Sequence, residues 1–201
     1  MSRRTSNGMQ VRSLSYKLDK VDLRIIDSLI KDARKTITQI AKDAGISRPT
    51  AINRLKKLRE SSSVILGARV NVTKLGFKLA LVALKTKTVD AREKPEKNLA
   101  ICPRVLMLIQ SSGNPNYLAL LYSENTETLL SVIECFKSFP GVDVVSWHRS
   151  KPPILPETLD LKVFPTKYEL APCGKKCGEC SCYQNLECLG CPAVIEYKGP
   201  L

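Results

Sequence analysis

Apolar positions along the chain switch repeatedly between a helical and a strand period. Val21, Ile25, Ile26, Leu29, Ile30 and Ala33 recur at helical spacing, which predicts an amphipathic helix with one inward face. In "TITQIAKDAG", Thr36 and Gln39 have the spacing of a capping box. Ile40, Ala41 and Ala44 form the inward stripe of this second helix, and Gly45 marks its stop. "ISRPTAINRLKKLRE" predicts a third helix, with Ser47 as N-cap, Pro49 in the first turn and Ile52, Leu55 and Leu58 as its buried stripe. "VILGARVNV" then alternates Val64, Leu66, Ala68, Val70 and Val72, the period of a strand pair with Gly67 and Arg69 near its tip.

Further on, "GFKLALVALKTK" (76–87) reads as a strand apolar on both faces, and residues 90–100 as a helix. "RVLMLIQSSGNPNYLALLY" is two apolar runs around a turn, a hairpin signal. "ENTETLLSVIECFKSF" is an amphipathic helix, apolar at Leu129, Val132, Ile133 and Phe136, and "VDVVSWHRS" is a further strand. The order β-α-β-β-α-β predicts a ferredoxin-like sandwich and an α+β chain. One face of its sheet must be covered, which pairing of two sheets in a dimer would do.

Charge separates the two halves. Residues 1–74 hold 17 basic and 6 acidic residues, net +11, and residues 75–201 hold 15 and 13, net +2. A basic half beside a near-neutral one predicts a polyanionic partner, chiefly nucleic acid. Three short helices, the last two joined by a glycine turn, match the helix-turn-helix pattern, whose last helix enters the major groove. Its polar side offers Arg48, Thr50, Asn53, Arg54 and Lys57, with Arg69 following on the wing. Arg and Asn suit guanine and adenine edges, and lysines suit phosphates. No P-loop, Gly-x-Ser-x-Gly or dinucleotide fingerprint is present, and His148 is the only histidine, so an enzyme is not expected. There is no apolar run long enough for a membrane span and no secretory core in the basic start, which predicts a cytoplasmic protein.

"LDKVDLRIIDSLIKDARKTITQIAKDAGISRPTAINRLKKL" followed by "VILGARVNVTKLGF" resembles the Lrp/AsnC family of transcription regulators. The likeness covers roughly residues 18–150 and is carried by Leu-Asp-x-x-Asp, Ile-Ala before Gly-Ile-Ser, and Arg-Leu-x-x-Leu. It implies a basic arm at 1–17, a winged helix-turn-helix at 18–73 and a ligand-binding and oligomerisation domain at 74–150. It also implies double-stranded DNA as partner, homodimers and octamers, and a small-molecule effector, usually an amino acid. Two departures stand out. Ser63 occupies the glycine position entering the wing, and "GNPNYL" replaces Gly-x-Tyr-Asp in the effector loop. Ser112, Gly113, Asn114 and Asn116 are the effector-binding candidates that remain. Some haem-synthesis enzymes share the scaffold, and a metal- or haem-pathway enzyme is the alternative the resemblance carries.

Beyond the family core lie a proline-rich connector (151–172) and a tail (173–201) with cysteines at 173, 177, 180, 182, 188 and 191. Three chemistries fit them: a disulfide framework, a zinc site or an iron–sulfur cluster. Cys177-x-x-Cys180 and Cys188-x-x-Cys191 form two chelating knuckles and are the favoured metal ligands, with Cys173 and Cys182 as alternatives. Cys102 and Cys135 read as small buried apolar residues.

Overall fold

The computed structural model describes residues 16–86 and 95–201. Most of the basic arm, and residues 90–94 of the helix expected at 90–100, lie outside them. Two compact units divide the chain between Gly67 and Ala68, within the segment read as a wing.

The first unit is three helices: α1 (Lys20–Lys31), α2 (Ile37–Ala44) and α3 (Arg48–Glu60). Each start is capped by a side chain. Asp19 and Asp22 form a capping box on α1, Thr36 and Gln39 form one on α2, and the Ser47 hydroxyl accepts the Thr50 N–H on α3. Gly45 closes α2 at φ +68°, where a side chain would be strained. Ile25, Leu29, Ile40, Ala44 and Leu58 form the core, with Val21, Ile26 and Leu55 against it.

Two stripes sit differently from their periodicity. On α3 the fully buried pair is Ala51 and Leu58, while Ile52 is 45% exposed. The small side chain at 51 is the one that turns inward. On α1, Ile30 is 79% exposed and Ala33 lies beyond the helix end. Asp22 and Ser28 are buried in their place, and Ser28 Oγ donates to Asp43 Oδ2 of α2 at 2.6 Å. The end of α3 also shifts by one. The Ser62 N–H bonds Arg59 O and the Ser63 N–H bonds Leu58 O, the crossed pair of a Schellman stop. The left-handed residue of that stop is Ser62, at φ +56°, so the conformation that favours glycine falls at Ser62 and not at Ser63.

The second unit begins without the expected strand pair. Residues 64–69 form no strand, and Leu66 and Ala68 are exposed. Val70 instead makes a single antiparallel bridge to Leu159 of the connector, and Val72 is fully buried beside it. The alternation thus serves a cross-contact within the second unit. Leu159 of that bridge opens the connector segment "LDLKVF", which forms no strand of the sheet.

The sheet itself follows the predicted order: β1 (Lys78–Thr86), α4 (Pro95–Ile101), β2 (Val105–Gln110), β3 (Tyr117–Ser123), α5 (Thr126–Lys137) and β4 (Val142–Ser150). The four strands run antiparallel in the spatial order β2-β3-β1-β4. One face carries Ala80, Val82, Leu84, Ala119 and Leu121, packed against Leu99 of α4 and Leu129, Ile133 and Phe136 of α5. The opposite face is covered at one end only, where Val72, Phe77, Leu159 and Leu161 pack on Leu79 and Tyr122. Leu81, Met107 and Ile109 remain exposed.

A buried ion pair joins this sandwich to the tail. Arg104, 3% exposed, donates from Nη1 to Glu124 Oε2 at 2.8 Å and from Nη2 to the Gly190 carbonyl at 2.6 Å. The Tyr197 hydroxyl donates to the other oxygen of Glu124. Removing one charge leaves its partner unpaired in the interior, so Glu124→Leu is expected to cost about 3–5 kcal/mol. Adding Arg104→Met should recover most of that loss, as read by denaturant unfolding.

Candidate nucleic-acid interface and thiol cavity

Helix α3 separates its residues sharply. Ala51 and Leu58 are buried, whereas Arg48, Thr50, Asn53, Lys56, Lys57 and Arg59 are exposed. Ser47 and Thr50 share a hydroxyl–hydroxyl bond of 2.8 Å, so Thr50 reinforces the cap as well as facing solvent. Arg48, Asn53 and Lys57 have no such tie among the contacts of the described residues and are available to a ligand.

Arg54 is different. Its Nη1 lies 2.5 Å from Asp19 Oδ2 and 3.4 Å from Asp22 Oδ1. The Tyr16 hydroxyl and the Asp19 N–H also donate to Asp22 Oδ2. The Asp22 N–H bonded to its carboxylate, and the Arg54 guanidinium beyond it, hold Asp19 below the usual carboxylate range. Arg54 therefore ties α3 to the start of α1, and reading it as a base-contacting side chain is corrected to a brace. The same contacts account for Leu-Asp-x-x-Asp and Arg-Leu-x-x-Leu occurring together: one supplies the carboxylates and the other the guanidinium. Arg69 belongs to the second unit, where its Nε lies 3.4 Å from Asp160 Oδ1 at an exposed site.

In the β2–β3 hairpin, Ser112, Gly113 and Asn114 are exposed. The Asn116 side chain is engaged: its Oδ1 accepts the Thr86 N–H at 2.8 Å and its Nδ2 donates to Thr86 O at 3.1 Å. Asn116 thus locks the hairpin to the end of β1, a role the turn signal alone did not reveal.

The tail folds over the helical side of the sandwich and encloses a cavity of about 710 Å³. All eight cysteines of the chain line it. Cys102 comes from the turn after α4, Cys135 from α5, and Cys173 from the start of the tail. Cys177 opens a 3-10 turn (Cys177–Glu179), Cys180 and Cys182 flank the start of α6 (Ser181–Gln184), and Cys188 and Cys191 flank Gly190. Cys102 packs against the sandwich core as expected, and it and Cys135 also line the cavity, a grouping that no sequence spacing signals. Val132, Phe136 and Phe139 form an apolar wall, and Arg104 and Lys175 supply positive charge. Lys175 Nζ lies 3.2 Å from Cys135 Sγ.

Burial pushes the Cys102 thiol up to about 11 and those of Cys177 and Cys191 up to about 12, and it also raises Cys135 and Cys188. The negative charge of neighbouring cysteines adds to each of these shifts. Peptide N–H groups act against them, from Cys191 toward Cys177, Gly190 toward Cys188 and Ala193 toward Cys191. All eight cysteines are unpaired.

Residues 18–59 match the AsnC-type helix-turn-helix domain. Over 132 residues the chain is 32% identical to the HTH-type transcriptional regulator FL11 of Pyrococcus abyssi, which covers 65% of this chain and 87% of that protein. It is 34% identical over 124 residues to the HTH-type transcriptional regulator LrpA of Pyrococcus horikoshii, 58% of this chain and 83% of the relative. The fold is shared with the Mycobacterium tuberculosis leucine response regulatory protein LrpA, at a TM-score of 0.61 and 19% identity over 72% of this chain and 100% of that one. It is also shared with a feast or famine regulatory protein of M. tuberculosis complexed with L-methionine, at a TM-score of 0.61 and 20% identity over 69% and 95% of the two chains.

The brace and the free polar row separate experimentally. Arg54→Ala is expected to lower the thermal midpoint of the first unit, because buried Asp22 loses its cation. Lys57→Ala, at an exposed site, is expected to leave the midpoint unchanged in a calorimetric scan.

Proposed function

This chain belongs to the Lrp/AsnC family of DNA-binding transcription regulators, and from that premise we propose that it reads double-stranded DNA as a homodimer, with α3 in the major groove. The observation that carries this reading is the exposed row Thr50, Asn53 and Lys57, at i, i+3, i+7 and turned away from the buried Ala51 and Leu58, with Arg48 exposed in the first turn of the same helix. Arg48, near the N-terminus of α3, and Asn53 reach base edges, and Lys57 meets phosphate. A two-fold dimer would present two such helices to a palindromic site. Binding of this kind acts in the cytoplasm, on the organism's own promoters.

The uncovered part of the sheet is the surface we assign to the dimer. Leu81, Met107 and Ile109 form an exposed apolar group on the face away from α4 and α5, and a second copy of the same face would bury it. Dimers assembling further into octamers would place effector loops between neighbouring copies. L-methionine on the mycobacterial relative supports an amino acid as effector class. Here Ser112, Gly113 and Asn114 are exposed for it, and Asn116 fixes the loop that carries them.

Gel shift against the DNA upstream of the protein's own reading frame tests the helix assignment. Asn53→Ala should cost about 1–3 kcal/mol on the preferred sequence and relax discrimination at one position. Lys57→Ala should weaken binding to all sequences and reduce the salt slope by about one. Unchanged binding in the double variant would overturn the placement of α3. Leu81→Lys with Met107→Lys should convert the dimer to monomer in sedimentation experiments, because both charges would be desolvated at the shared face. A dimer that persists would remove this face from the interface.

A further inference from the structure

The eight-cysteine cavity lies outside the DNA-binding reading and stands independently of it. Three chemistries compete for it. A disulfide framework would draw the sulfurs into pairs, yet all eight are unpaired and line one cavity. A single tetrahedral zinc needs four sulfurs at about 2.3 Å from one point. Among the described residues no three Cys, His, Asp or Glu side chains converge that closely. The thiols are instead distributed around a chamber of about 710 Å³. A polynuclear centre suits that spacing, because its metal atoms spread outward and each takes its own thiolate.

The surroundings point the same way. Peptide N–H groups of Cys191, Gly190 and Ala193 lie against the sulfurs of Cys177, Cys188 and Cys191, donors that metal-bound sulfur accepts. Gly190, at φ +85°, permits the tight turn that aims Cys188 and Cys191 at one space, and its carbonyl is held by Arg104. The Arg104 guanidinium and Lys175 ammonium offset the negative charge that a thiolate-ligated cluster carries. Val132, Phe136 and Phe139 shield the chamber on the α5 side.

We propose that this cavity holds one iron–sulfur cluster, ligated by Cys177, Cys180, Cys188 and Cys191 of the tail and walled by the thiols of Cys102 and Cys135 from the sandwich. Each ligand gives up its thiol proton to solvent as it takes an iron. The irons and bridging sulfides come from outside the chain, so no residue changes oxidation state on assembly.

The test is iron, acid-labile sulfide and zinc content on the full chain, purified without oxygen or reconstituted with sulfide and a mixture of ferrous and ferric iron, the ferric share supplying the oxidised irons of the cluster. The expected result is about four irons and four sulfides per chain, with a broad absorption band at about 400 nm. Cys177→Ser with Cys188→Ser should lose the band and most of the iron, whereas Cys102→Ser with Cys135→Ser should keep both. Unchanged far-ultraviolet circular dichroism and a single cooperative unfolding transition of the second unit in each variant show that the chain has folded. A colourless protein with about one zinc per chain would overturn the proposal in favour of a mononuclear site. Metal-free protein after reconstitution, or iron retained by the tail variant, would overturn it as well.

Discussion

A four-stranded sheet with apolar side chains on both faces cannot stand alone in water, and the second unit is arranged around that constraint. Helices α4 and α5 cover most of one face, leaving Trp147 of the β4 edge exposed. The connector covers one end of the other, with Leu159 and Leu161 over Leu79 and Tyr122. What is left, around Leu81, Met107 and Ile109, is the part assigned to a second copy. The division of labour explains why the connector runs close to the sheet despite forming no strand of it: its apolar residues are needed there, and its prolines exclude regular pairing.

The tail obeys a different rule. It buries few large apolar side chains, Ala193 and Val194 being the fully buried ones, so it cannot be held by a core of its own. Directed polar contacts hold it instead. Arg104 and Glu124 reach Gly190 and Tyr197, Lys167 donates to the carbonyls of Pro192 and Leu201, and Thr128 Oγ1 accepts the Leu189 N–H. Such contacts fix orientation sharply but contribute modest net stability, which leaves room for a bound inorganic centre to supply the rest.

Much of this was legible in the chain. The capping boxes, the glycine stop of α2, the strand order and the basic helix all follow from local chemistry, because each depends on residues within a few positions of one another. The misplacements share a cause. Ala51 replaces Ile52 in the core because a helical pattern ranks residues by apolarity, while the inward position is decided by which side chain fits between neighbouring helices. Arg54 looked like a DNA contact because its carboxylate partners lie 32 and 35 positions away. The strand pair expected at Val64–Val72 failed because Val70 finds Leu159 in a segment with no periodic link to it. That Cys102 and Cys135 share a cavity with the tail cysteines is invisible in the chain for the same reason: only folding brings them beside the tail.

The Arg104–Glu124 pair has one more consequence. An appendage fastened by a charge on each of two loop positions, plus backbone carbonyls, makes few demands on the volume of its host's interior. Leu84, Ala119, Leu121 and Ile133 would pack the same way without it. In evolutionary terms the segment is portable: a sandwich of this kind can gain or shed a cysteine-rich extension without redesigning its core, provided those two charges arrive or leave together.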